Sequence, residues 1–181
     1  IGVCKILFTK FKLMIKKKII FLSIGSNLGD KSENIKTALK FLELKVGKVK
    51  SISSIYETKA LGFDGPDFFN LCLSIQTEYS PEEVLNRLLK IEILMGRVRM
   101  DQRKLISRKI DMDILFYDDE IISSEKLQIP HPRLQNRNFV LYPLIEIAPN
   151  LKHPVLKKSI SALITKCSDK LIPLKLDLKA F

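Results

Sequence analysis

Two carboxylates one residue apart, Asp111 and Asp113, interrupt the apolar run "IDMDILF" at residues 110–116. Side chains alternate on a strand, so Ile110, Met112 and Ile114 face one way and both Asp the other, their Cα atoms about 6.6 Å apart. Carboxylates so placed can reach one or two metal ions. A solvated outer face would give the same pattern. Just upstream, "GRVRMDQRKLISRK" (96–109) carries Arg97, Arg99, Arg103 and Arg108. Arg grips phosphate oxygens through its planar, two-pronged guanidinium. Taken singly, each of these Arg is an ordinary surface charge. Together with the paired Asp they supply what phosphoryl transfer from a nucleotide needs: metal on the phosphates and cations for developing charge.

Other residues join this set. Glu92 falls on the apolar stripe of a helix, near the C-terminus where a negative charge is unfavourable. Buried, it needs a partner, and an Arg of the following loop is the obvious one; at the edge of the stripe it would simply reach solvent. Asn70 stands inside "FFNLCL" (68–73), where a buried amide must bond to something; donor and acceptor together suit the edge of a heterocyclic base. Phe68 and Phe139 offer ring faces for stacking, although core packing is their default role. His131 lies in the Pro- and Arg-rich loop "PHPRLQNRN" (130–138), where it reads either as an ordinary surface His or as a phosphate contact.

The elements that must position these residues follow from periodicity. Residues 18–24 read as a central strand, ending in the turn signal "GSNLGDK" (25–31). Asp30 or Ser32 caps a helix with Ile35, Ala38, Leu39 and Leu42 at helical spacing, stopped at Gly47. Residues 48–57 alternate as one strand, and 68–77 form another. "SPEE" (80–83) opens a helix with Pro at its first position and a capping box from Ser80 to Glu83. After the Arg loop come the Asp strand (110–117), a small hairpin around 120–129 and a short helix over 139–148. The order predicts an α+β, ferredoxin-like βαββαβ fold: an antiparallel sheet, flanking helices, and a C-terminal extension able to cover the open face.

The chain has 181 residues, 46% hydrophobic, which suits one domain with a real core. Residues 1–13 read as an upstream extension and 14–181 as the single domain. Their three lysines taken away, a net charge of +8 remains on the rest, which attracts anions without choosing among them. No window is apolar enough for a membrane helix. The three cysteines are far apart, which argues against a metal cage or disulfide framework and for a cytoplasmic protein. No P-loop, Gly-x-Ser-x-Gly elbow or His-Glu-x-x-His is present.

The motifs "IGSNLGDK" (24–31), "YETKALG" (56–62), "PDFFN" (66–70), "EILMGRVR" (92–99), "RKIDMDILFYDD" (108–119) and "PHPRLQNRNFVLYPLIEIAP" (130–149) together resemble the 6-hydroxymethyl-7,8-dihydropterin pyrophosphokinases of folate biosynthesis. The resemblance implies transfer of pyrophosphate from ATP to the pterin hydroxymethyl group, releasing AMP, with two Mg²⁺ ions held by Asp111 and Asp113. It implies a pterin site made by Phe68, Phe139, Asn70 and the backbone from Thr58 to Leu61. Arg97, Arg99, Arg108, His131 and Arg137 would face phosphates, with Arg103 in a mobile loop and Glu92 supporting from behind. No nucleic acid or membrane partner is implied; a monomer is expected, able to associate with other folate-pathway enzymes. The sequence departs from the family at "KLIS" (104–107), where an aromatic and Gly-Pro are usual, and at Phe68, Lys59-Ala60 and Pro132. Two competing readings are an RNA-binding ferredoxin-like module, which needs exposed aromatics on the central strands, and a metal-dependent nuclease.

Overall fold

A computed structural model describes residues 17–60, 62–97 and 107–177. The readings of residues 1–13, Leu61, Arg99, Arg103 and "KLIS" up to Ile106 lie outside the described residues. The main sheet is built on β1 (Lys18–Ser26), which pairs antiparallel with β4 (Phe68–Thr77) on one side and β5 (Asp111–Tyr117) on the other. Beyond β4 lie β2 (Lys48–Ile52) and β3 (Tyr56–Thr58), both antiparallel to it, and β8 (Leu174–Lys175) pairs with β3 at the edge. A two-stranded ribbon, β6 (Ile122–Ser123) with β7 (Gln128–Ile129), stands apart.

Residues 48–57 are therefore two strands rather than one. Ser53 is the cause: its hydroxyl accepts from the Cys72 amide at 3.0 Å, and its own amide donates to the Cys72 carbonyl at 2.9 Å. The ladder is replaced locally by a side chain, and Ile55 turns into the core, 1% exposed.

Two helices cover one face. Helix α1 (Lys31–Lys45) starts at Asp30, whose side chain accepts from the Glu33 amide at 2.9 Å. Its apolar positions Ile35, Ala38, Leu39 and Leu42 are all buried. Gly47 (φ 157°) then lets the chain pass where a Cβ would sit 2.3 Å from the Gln76 carbonyl oxygen. Helix α2 (Pro81–Leu94) has a complete capping box between Ser80 and Glu83, and buries Val84, Leu88, Ile91 and Glu92. These helices and the inward residues of β1, β4 and β5 form the first core.

The other face carries a second core. Helix α3 (Asn138–Ile147) and α4 (Ile160–Ile164) pack Val140, Leu141, Leu144, Ile160 and Leu163 against Cys72, Leu115 and Phe116. Cys72 is fully buried and serves packing. A bulge in β5 makes this possible. Leu22 pairs with Ile114 and Phe21 with Phe116, so Leu115 is an extra residue. Leu115 and Phe116 then both serve the second core, while Ile114 and Tyr117 serve the first. Phe21, on the central strand, packs edge-on against Phe116, with ring centroids 6.3 Å apart, beneath this layer. The face an RNA-binding module would leave open is covered here. The layer leaves Ser23, Gly25, Asn70, Asp111 and Asp113 facing an open cavity, which is the candidate site.

Candidate active site

The register across the sheet builds the floor. Asp113 stands opposite Ser23 on β1, and Asp111 opposite Gly25, which in turn faces Asn70 on β4. Side chains at paired positions share a face, so the two carboxylates, two small residues and one amide form a single surface. A cavity of about 420 Å³ opens above it. Small residues at Ser23 and Gly25 are what keep it open. A Cβ on Gly25 would lie 3.1 Å from Asn70 Oδ1 and 3.5 Å from the Phe68 ring.

One end of the cavity is apolar. Phe68 and Phe139 both line it, and Phe63 from the 59–67 loop stands edge-on to Phe68, centroids 6.3 Å apart. Asn70 Nδ2 donates to Thr58 Oγ1 at 2.8 Å, which fixes the amide orientation on the floor. The other end is cationic, lined by Arg97, Arg108, Arg133, Arg137 and His131. Arg97 donates to Asp111 Oδ1 at 2.7 Å, and the Arg108 guanidinium reaches Asp111 Oδ2 at 3.0 Å. Behind them Glu92, its side chain 1% exposed, pairs with Arg97 and accepts from the Met112 amide at 2.9 Å. Glu92 is thus at the seam of α2 and β5, under the site rather than in it.

These surroundings set the charges. Burial, with Asp111 adding to it, pushes the Glu92 carboxyl up to about 7 against the pull of Arg97. Loss of water on the cavity floor and the neighbouring Asp111 push the Asp113 carboxyl up, opposed by Arg137, Arg97 and Arg108, while its side chain stays 43% exposed to the open cavity. Burial, then Arg137 and Arg133, hold His131 down at about 4, so its ring is neutral at pH 7. Its Nδ1 accepts from the Arg133 amide at 3.2 Å, which assigns the proton to Nε2. That N–H lies 3.9 Å from Asp113 Oδ2, a contact and not an ion pair. Burial lowers the pKa of the Arg137 guanidinium, partly offset by Asp113 and Asp111.

Asp111 and Asp113 offer only hard oxygen donors. Among the described residues no group of three or more His, Cys, Asp or Glu side chains gathers as a cage. Two carboxylates beside a cationic, phosphate-sized space fit Mg²⁺, which is usually held by one or two carboxylates with substrate phosphates and water completing the shell. They do not fit zinc, which prefers a closed set of nitrogen and sulfur ligands.

One residue of the turn "GSN" (25–27) is a hub. Asn27, 1% exposed, accepts from the Arg108 amide at 2.7 Å and donates through its own amide to the Arg108 carbonyl at 3.1 Å. Its side-chain Nδ2 also donates to Pro66 O at 3.1 Å and Ser107 Oγ at 3.2 Å. It ties the end of β1 to both loops that border the cavity. The sequence signal was present in "GSN", but its partners lie 39 and 81 residues away. Ser23, Gly25, Phe63 and Arg133 were missed as well; for Ser23 and Gly25, the matching parity on β1 was the signal.

The family model for 7,8-dihydro-6-hydroxymethylpterin-pyrophosphokinase matches residues 21–149. The chain belongs to this family. It is therefore a pyrophosphokinase, an enzyme of the diphosphokinase class. It is 41% identical over 140 residues to the 2-amino-4-hydroxy-6-hydroxymethyldihydropteridine pyrophosphokinase of Aquifex aeolicus, covering 77% of this chain and 86% of that one. Against the Haemophilus influenzae protein of the same name the identity is 43% over 136 residues, covering 74% and 84%. The folic acid synthesis protein fol1 of Pneumocystis carinii is 40% identical over 163 residues; the match takes in 90% of this chain and 22% of that longer protein. In fold, it resembles the Plasmodium falciparum HPPK-DHPS crystal structure with a TM-score of 0.69 at 20% identity, covering 86% of this chain and 46% of that one. The matched residues contain every described residue of the cavity. No helix among the described residues is long and apolar enough to cross a membrane.

Proposed function

We propose that the chain transfers the pyrophosphoryl group of ATP to the hydroxymethyl oxygen of 6-hydroxymethyl-7,8-dihydropterin, as a step of folate biosynthesis. One observation carries the reading: paired carboxylates on the floor of a cavity whose one end is aromatic and whose other end is cationic. A flat heterocycle fits between Phe68 and Phe139, with Asn70 and the backbone near Thr58 and Leu61 reading its polar edge. A polyphosphate fits Arg97, Arg108, Arg137 and the Nε2–H of His131; Arg99 and Arg103 are assigned to it from their place in the sequence between Arg97 and Arg108. The strand order β5-β1-β4-β2/β3 supports a ferredoxin-like βαββαβ reading with the C-terminal segment as an added layer.

Asp111 and Asp113 would hold two Mg²⁺ ions against the phosphates. When bound, such ions neutralise phosphate charge and lower the pKa of the attacking hydroxyl. The protein's own contribution is positional. The aromatic wall aims the hydroxymethyl oxygen at the β-phosphorus, and the guanidiniums hold the chain of phosphates in line behind it. A bond forms from the pterin oxygen to the β-phosphorus as the α–β bridge breaks; AMP leaves with the bridging oxygen, and the hydroxyl proton is released to solvent. Arg97 and Arg108 are pre-paired to Asp111, and exchanging that contact for phosphate oxygens costs little because the guanidinium stays charge-paired throughout. The names of the fungal relatives and the fused HPPK-DHPS chains support placing this activity beside other folate enzymes; as a unit we take the chain to be a cytoplasmic monomer.

The test is AMP release from ATP, with and without the pterin, in wild type and Asp113→Ala. Pterin-dependent AMP release that falls about a thousandfold in the variant is expected, as several kcal/mol of charge stabilisation would be lost. Pterin-independent release, or full activity in the variant, would sink the proposal.

A further inference from the structure

The cationic and aromatic ends of the cavity are joined by three consecutive residues. Arg137 and Phe139 line the cavity, the guanidinium carbon 5.4 Å from the ring centroid. Asn138, between them, turns away and is buried, 6% exposed. These residues open α3, yet the helix has no cap of its own: Arg137 stands at the N-cap position and makes no side-chain capping bond. A helix start leaves backbone N–H groups without partners, and an acidic acceptor there is favourable.

The missing cap comes from the tail. Asp169 Oδ2 accepts from the Asn138 amide at 2.9 Å, and Asp169 Oδ1 from the Leu171 amide, also at 2.9 Å. In return Asn138 Nδ2 donates to the Asp169 carbonyl at 2.9 Å and to the Leu171 carbonyl at 3.0 Å. Downstream, the tail is anchored to the sheet edge by the pairing of β8 with β3 and by the Leu176 amide on Ile55 O at 2.9 Å. Three hydrogen bonds thus close a knot between the tail and the one residue flanked by Arg137 and Phe139, and a fourth, inside the tail, holds Asp169 in place. The tail lies beyond residue 149, where the family match ends.

We infer that Asp169 is a positioning residue for substrate binding: by capping α3 through Asn138 it sets where Phe139 and Arg137 stand in the cavity. The backbone rotation that would release Asn138 from the knot carries its two neighbours with it. Phe139 is the more exposed to that change, since ring stacking depends on orientation, whereas a long Arg side chain can re-aim. This assignment rests on the reading of the aromatic end as a pterin site.

The test is pterin affinity, read by fluorescence in the full chain with Mg²⁺ and a non-transferable ATP analogue. The variants are Asp169→Ala, Asp169→Asn, Phe139→Ala and the Asp169→Ala/Phe139→Ala pair. Asp169→Ala is expected to weaken pterin binding about tenfold, the scale of a lost cap. Asp169→Asn, which keeps one acceptor for the Asn138 amide, recovers to within about threefold of wild type. In the Phe139→Ala background Asp169→Ala adds less than about twofold, because both act on one contact. Unchanged affinity in Asp169→Ala, or losses that multiply in the pair, overturns the assignment and leaves Asp169 holding the fold alone. Where Asp169→Ala does not fold, Asp169→Glu keeps the charge with a longer reach; a loss of about threefold or more supports the assignment and wild-type affinity overturns it. A wild-type chain that binds no pterin refutes the pterin reading itself, and this assignment with it.

Discussion

Replacing Glu92 by Ala removes the buried acceptor that joins α2 to the Asp strand. Two interactions are lost: the Met112 amide at 2.9 Å and the ion pair with Arg97. The amide is then buried without a partner, at a cost of about 1–3 kcal/mol. Arg97 keeps Asp111 at 2.7 Å and is 27% exposed, so its share is small, about 1 kcal/mol or less. The expected total is about 1–4 kcal/mol, or roughly 2–16 °C in Tm for a domain of this size. Glu92→Gln should behave differently. It retains an acceptor for Met112 and ends the burial of a carboxylate whose pKa is pushed up to about 7, so its cost should stay within about 1 kcal/mol. Urea denaturation of the three proteins at pH 7.5 separates the cases. Glu92→Ala within about 0.5 kcal/mol of wild type would refute the reasoning, and so would a Glu92→Gln as unstable as Glu92→Ala.

Three further expectations concern other parts of the molecule. His153 is buried against Phe116, with its Nδ1 accepting from the amides of Val155 and Leu156 at 3.3 and 3.2 Å, and burial lowers its pKa. The folded state therefore resists protonation, and this contribution to stability, complete above about pH 6.5, is lost as pH falls below it; His153→Asn should lose less stability than wild type between pH 7.5 and 5.5, and equal losses in a denaturation series would count against the idea. Gly25→Ala places a methyl 3.1 Å from Asn70 Oδ1; the pterin KM should rise about tenfold with little change for ATP, and an unchanged pterin KM would show that the floor tolerates the methyl. Asn27→Ala removes three side-chain hydrogen bonds to residues 66, 107 and 108; kcat should fall at least tenfold and hydrogen exchange at Ser107 and Arg108 should quicken, whereas unaltered exchange would rule out the hub.

How much of this was legible in the sequence differs by residue. The pairing of Asp111 with Asp113 on one face followed from strand alternation alone, because three apolar residues interleave with them. The same alternation failed two residues later. The bulge at Leu115 depends on what Phe21 and Phe116 meet across the sheet, and nothing local marks it. The break between β2 and β3 was hidden for a similar reason: "SISS" alternates well enough, and only the Ser53 bonds to Cys72 end the ladder. Glu92 announced itself as a charge on an apolar stripe, since periodicity exposes such conflicts. Asn27 and Asp169 did not, because their work is done on loops and a tail remote in sequence. Side-chain capping from another part of the chain leaves no local pattern to read.

The central claim is that this site moves a pyrophosphoryl group and not a single phosphoryl group. Phosphorus NMR of a reaction containing Mg²⁺, ATP and hydroxymethyl-dihydropterin measures it directly. AMP and a pterin diphosphate ester should rise together in equal amounts. Formation of ADP with a pterin monophosphate, or of AMP with free pyrophosphate and unchanged pterin, would contradict the account.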